Sequence, residues 1–343
     1  MATESKELSC IRRDPFAERD AERDKVISPA TWLKRRILSI SPRETTFSRR
    51  GFRKGDAAIQ ERLERIGETF VRGYNTALTD DDPARLALHL DAVELEFRGF
   101  AFEGAAMALT LLDCLTPWNN QRLRAFLSGP ASEHLYMVHV GVGWALARLR
   151  RKVDRFLKHA DPLLGWLAVD GYGFHEGYFH CRRAFEDKGV PERLTHYARR
   201  VFDQGLGRSL WFVECANVER VPVTIVSFPS ARHADLWSGI GLACAYAGGV
   251  SRAEIEALRR AAGPYRPQLA QGAAFAAKTR NRASNPAPHT ELACEVLCGM
   301  SAADAASITD IALDRLPVDG EEPSYEIWRQ RIQSYFAKEA ASV

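Results

Sequence analysis

Twelve consecutive residues, Asp170 to Cys181, carry two imidazoles (His175, His180), two carboxylates (Asp170, Glu176), two phenols and a thiol. This is the densest cluster in the chain of groups that move protons or bind ions. Glu176 and His180 lie four apart and share one face of a helix. A carboxylate beside an imidazole orients the ring and raises its basicity, which suits a general base. The order His175-Glu176…His180 is not the zinc-protease pattern His-Glu-x-x-His, because the second histidine comes one residue late. On a regular helix the two rings do not face one ion. His139 is a further candidate, since His, Glu and Cys are competent ligands. Three readings stay open here: an acid/base or ligand-binding site, a metal site whose ion is unknown, or polar groups satisfied in a core.

Other chemistry is sparser. Asp203, Gln204, Arg208, Ser209, Trp211 and Glu214 lie within twelve residues. There Asp203, Arg208 and Glu214 could form a charged network, or Arg208 could clamp a carboxylate or phosphate. His289-Thr290-Glu291 follows Pro288 and marks a helix start, with Thr290 as its cap. The chain has no Gly-x-x-x-x-Gly-Lys-Ser/Thr phosphate loop and no Gly-x-Ser-x-Gly nucleophile elbow. Its Gly-x-Gly pairs lack the third glycine and preceding strand of dinucleotide binding. No cofactor is identified.

The elements that must position these groups announce themselves by repetition. A glycine motif recurs seven times, with first glycines at 73, 104, 141, 171, 205, 239 and 272. The intervals of 31, 37, 30, 34, 34 and 33 residues signal a repeat architecture. Alanine-rich apolar runs follow each motif without strand-like alternation, so the repeats read as helices. The expected fold is all-α: about seven helical hairpins, closed as an α/α toroid or open as a TPR-like superhelix. Glycine costs a helix about 1 kcal/mol relative to alanine, so seven copies imply close backbone packing. The β-branched segment 221–228 reads as either a short strand or a helix entered at Pro222. Two repeat features mark function. Where the fifth motif position is otherwise Ala or Ser, the fourth copy has His175. The position before each first glycine reads Arg72, Glu103, Val140, Asp170, Gln204, Ser238 and Gln271. This mostly polar column either lines a shared cavity or caps helix starts. In style the copies around Gly239 and Gly272 resemble the inner helices of lanthionine cyclases, but that family's zinc ligands are absent.

Composition narrows the class. An apolar share of 46 % with 27 % charge fits a globular protein. A net charge of +3 gives no argument for nucleic acid. Seven cysteines without Cys-x-x-Cys fit reduced, buried thiols in the cytoplasm. Cys294 and Cys298, one turn apart, fit a buried apolar face better than a metal site. Residues 1–40 read as a charged extension, 41–317 as the repeat domain, and 318–343 as a final helix packed on it. Between Trp32 and Lys54 eight basic residues oppose one acid, Glu44. With Trp32, Leu33 and Ile37 this is either a solvated helix or a basic amphipathic segment on an anionic membrane or partner.

Several segments resemble a bacterial family encoded beside enediyne polyketide synthases, the enediyne biosynthesis proteins. They include residues 46–52, 98–107, 136–141, 170–179, 202–212, 235–239 and 289–292, and the likeness covers about 42–317. The resemblance implies a cytoplasmic role in making or processing a polyene- or polyyne-derived natural product. The reading that follows is an accessory protein, as enzyme or binder, for a hydrophobic intermediate. His175, Glu176, His180 and Asp170 would do acid/base or metal-assisted work. Glu103, His139, Tyr172, Phe174, Gln204, Arg208 and Trp211 would bind substrate. The alternative is a non-catalytic scaffold that docks a synthase or a membrane-associated partner at the membrane periphery.

Overall fold

The structure, a computed structural model, describes residues 29–192, 194, 196–317, 320 and 322–341. Among them every regular element is helical and none is a strand. In chain order the α-helices are α1 (Pro29–Leu38), α2 (Phe47–Arg50), α3 (Ala57–Thr79), α4 (Pro83–Asp91), α5 (Arg98–Leu115) and α6 (Arg122–Leu127). Next come α7 (Leu135–Arg148), α8 (Val153–Leu157), α9 (Trp166–Phe179), α10 (His196–Val213), α11 (Arg220–Val226) and α12 (Ser230–Ala247). The last are α13 (Arg252–Ala262), α14 (Arg266–Arg282), α15 (Pro288–Leu297), α16 (Ala302–Ile311) and α17 (Ser324–Ala341).

The glycine motifs fall inside seven long helices: α3, α5, α7, α9, α10, α12 and α14. Short helices join most of them, and a π-helical turn (Arg182–Glu186) follows α9. A methyl group added at Gly173 would overlap the Phe202 carbonyl, and one at Gly205 would overlap that of Asp170. Backbone therefore rests directly on backbone, and this close approach is what glycine supplies in return for its helix penalty. Advancing from 170 to 173 along α9 means retreating from 205 to 202 along α10, so the pair is antiparallel. The same crossed pairing joins α10 to α12 and α12 to α14.

The row of seven curls so that early helices touch late ones. Phe100 of α5 meets Tyr246 of α12 edge-on at 5.1 Å. Arg62 of α3 donates to the Ala247 carbonyl at 2.7 Å, and Arg280 of α14 donates to the Glu96 carbonyl at 3.2 Å. The final helix, α17, lies against α14 and α16: Trp328 stacks on Phe275 at 4.6 Å and donates to the Thr309 carbonyl at 2.8 Å.

Of the two readings of segment 221–228, the helix holds, as α11. Thr290 does not cap α15. Its hydroxyl donates instead to the Ala245 carbonyl at 2.7 Å, tying α15 to α12. Residues 1–28 of the expected extension lie outside the described residues. The remainder forms α1, whose Leu38 carbonyl accepts from the Tyr74 hydroxyl at 2.8 Å. Among the described residues no single helix is long and apolar enough to cross a membrane. Cys294 and Cys298 are buried and free, as an apolar face requires.

Candidate functional site

The curled helices enclose a pocket of about 630 Å³ of free space, part of it continuous with solvent. Six of the seven glycine helices supply its walls, chiefly through Phe70, Phe100, Trp144, Phe174, Tyr178 and Phe212. It is narrow: the volume open to the centre of a water molecule is about 40 Å³, where one water needs about 10–15 Å³. It suits a slim ligand or a short file of waters. A second pocket of about 470 Å³ shares Arg208, Leu242 and Tyr246 with the first.

Glu103, Arg208 and Tyr246 bring polar groups to these apolar walls. Glu103 accepts a hydrogen bond from Trp144 Nε1 at 3.0 Å. Burial pushes its carboxyl up to about 7; the Arg208 charge and the Trp144 hydrogen bond only partly pull it back. Such a group can either give or take a proton near neutral pH. The Tyr246 hydroxyl is buried without a hydrogen-bond partner, and burial raises its pKa.

Behind the pocket runs a polar spine. Asp170 pairs with Arg208 and accepts from Gln204 Nε2 at 2.8 Å. The Ser238 hydroxyl lies 3.4 Å from Gln204 Oε1 and donates to Gln271 Oε1 at 2.9 Å. Tyr325 and Gln333 of α17 join this chain through Gln204 and Gln271. These are the residues before the first glycines of α9, α10, α12 and α14. They sit inside helices, so they do not cap, and they hydrogen-bond across neighbouring helices instead. Asp170 and Gln204 thus tie neighbouring helices together and set Arg208 in place.

At the C-terminal end of α9 stands a second cluster. His175 Nδ1 is 3.4 Å from Glu176 Oε1, and His180 Nδ1 is 3.5 Å from Glu176 Oε2. The sequence argument that His175 and His180 face apart does not hold. The helix ends at Phe179, and His180 takes φ −127° and ψ 43°, outside the helical range. Its ring is thereby freed to turn toward Glu176. His175 packs against Trp144 at 5.7 Å and Phe179 at 4.9 Å, both of them pocket walls. Burial lowers the His175 pKa, and Glu176 partly restores it. Burial also raises the Glu176 carboxyl, but the nearby His175, His180 and Arg183 outweigh it and hold it below the usual range.

The other expected residues scatter. Phe174 lines the pocket. Tyr172 and Trp211 are buried between helices and line neither pocket. Trp211 donates to the Gly248 carbonyl at 3.1 Å. Each stands at the wrong angle: two residues before Phe174 is about 200° around a helix. His139 is turned to its own helix, with Nδ1 2.8 Å from the Leu135 carbonyl. Asp203, Arg208 and Glu214 form no common network. Asp203 pairs with Arg232, Arg208 with Asp170, and Glu214 with Arg220 at 3.2 Å. Trp144, Phe212 and Tyr246 are pocket walls that the sequence reading missed. One signal was available, because Trp144, Phe174, Arg208, Leu242 and Phe275 all occupy the fourth motif position.

Residues 30–336 match the model of a family described as a protein of unknown function, DUF1702, and the chain belongs to that family. No curated protein and no solved structure matches the chain.

Proposed function

We propose that the protein holds a slim, apolar, polyketide-derived intermediate in its axial pocket and that Glu103 moves a proton at it. The resemblance to enediyne biosynthesis proteins supplies the chemical class. The observation that carries the reading is the Glu103 carboxyl, held near neutrality by burial, in walls that are otherwise mostly apolar. Arg208 and Tyr246 line the pocket and can hold an oxygen of the ligand, so the apolar chain is oriented with its polar end at Glu103. A conjugated tetraene fatty acid, whose fluorescence rises in apolar surroundings, tests the pocket. Saturable binding is expected, lost in Leu242→Trp, where an indole fills the space shared by both pockets. Undiminished binding in that variant removes the reading. Glu103→Gln should retain the probe, and cells carrying it should accumulate the unprocessed intermediate in extracts compared with the parent strain.

One observation favours a docking role as a second reading. On α1, Trp32, Leu33 and Ile37 are 55 %, 50 % and 65 % exposed, beside Lys34, Arg35 and Arg36. A biosynthetic partner or anionic membrane would cover that face. Co-sedimentation with phosphatidylglycerol vesicles, lost in Trp32→Ala with Ile37→Ala, supports a membrane; no co-sedimentation removes it.

A further inference from the structure

We propose that His175, Glu176 and His180 form a binding site for a first-row divalent metal ion, with zinc as its simplest occupant. Nothing in this inference depends on the axial pocket holding a ligand.

The ligand atoms converge. One donor atom from each residue lies within 4.8 Å of the other two. Both imidazoles present Nδ1 to the same carboxylate, at 3.4 and 3.5 Å, each to a different oxygen. The donor set, two histidines and one carboxylate, is that of open-sided catalytic zinc and non-haem iron centres. A second observation points to a missing partner. His175 is 6 % exposed, yet its Nδ1 atom has no hydrogen-bond partner of acceptable geometry. A buried polar atom in that state needs explanation, and an ion among the three residues provides one.

The surroundings fit three protein ligands and an open side. His180 is 52 % exposed at its side chain while His175 and Glu176 are nearly covered. The ion would sit at the rim, with water able to complete its coordination. Trp144 and Phe179 back the His175 ring and fix its plane. The charges of Arg148 and Arg183 act on this cluster and work against a cation. Glu176 therefore supplies the one compensating charge, and its loss should hurt most.

The test uses the full chain, stripped with chelator and titrated with Zn²⁺ by calorimetry and with Co²⁺ by visible absorption. One ion per chain is expected, with a Co²⁺ spectrum lacking sulfur charge-transfer bands. Glu176→Gln and His180→Ala should each weaken binding by about 100-fold or more. His180 is exposed enough that its variant should fold, and circular dichroism checks this. Failure of the wild-type protein to bind either ion, unchanged affinity in the two variants, or a thiolate band would each overturn the site. Loss of tetraene binding in Leu242→Trp with metal binding intact separates this result from the fate of the pocket.

Discussion

Two glutamates, the buried Glu103 and the half-buried Glu176, meet opposite fates within one molecule. Glu103 sits among aromatic walls, and burial outweighs Arg208 and Trp144, so its carboxyl rises to about 7. Glu176 sits between two imidazoles at a helix end, and its partners outweigh burial, so its carboxyl stays ionised. The difference lies in what faces each group as well as in how deeply each is buried. Environments that push two like groups apart assign them different work. Glu103 is suited to proton transfer, and Glu176 to holding positive charge.

The sharpest way to break this contrast is to remove the cation beneath the pocket. Arg208 is 4 % exposed and pairs with Asp170, which is fully buried. Arg208→Met leaves Asp170 with Gln204 alone and takes a positive charge from Glu103. Removing one partner of a buried pair costs about 3–5 kcal/mol. A fall of that size in the urea unfolding free energy is expected, with about half recovered in Arg208→Met combined with Asp170→Leu. A change under about 1 kcal/mol would mean that Arg208 is solvated through the pocket and does little to hold its helices together.

The repeat, the helices and their close contact were legible in the sequence, because glycine inside a helix demands a packing reason. The direction of neighbouring helices was not. Small residues say how near two backbones come, and they say the same for parallel and antiparallel pairs. The polar column before the glycines was legible as shared, but its partners, Asp170 to Gln204 to Ser238 to Gln271, emerge only from the antiparallel register. The walls were hidden for another reason. Trp144, Leu242 and Tyr246 read as ordinary core residues, and only the meeting of α5 with α12 makes their side the wall of a pocket. The turn of His180 was illegible locally, since no glycine or proline marks the end of α9 at Phe179.

A second test titrates the contrast. Folded Glu103 keeps its proton to about 7, against an ordinary value of 4.5. Between those values the folded state binds more protons than the unfolded one, so stability falls as pH rises. Below the window the group adds no penalty; above it the penalty is complete. At about 1.4 kcal/mol per pH unit the loss is roughly 3 kcal/mol. Glu103→Gln should remove that slope, read as the difference between variant and parent in urea unfolding at about pH 5 and about pH 8. Asp203, pushed up to about 6 by burial, contributes to both proteins and cancels. A slope unchanged in the variant would place Glu103 in wetter surroundings than its neighbours imply.

The smallest expected effect probes the other carboxylate. His180 is half exposed beyond the end of α9, and its ring lies 3.5 Å from Glu176. Removing an exposed side chain usually changes stability by no more than about 0.5 kcal/mol, and His180→Ala should stay within that bound in metal-free buffer. Glu176 keeps His175 in this variant, so its carboxyl should remain below the usual range and the acid limb of unfolding should shift only slightly. Glu176 gives stability above its unfolded pKa and loses it as pH falls through the lower folded value. A loss of more than about 1 kcal/mol in His180→Ala would show that the histidine braces the helix end. The two glutamates would then differ less in their surroundings than the distances suggest, and the cluster would be part of the fold's own support.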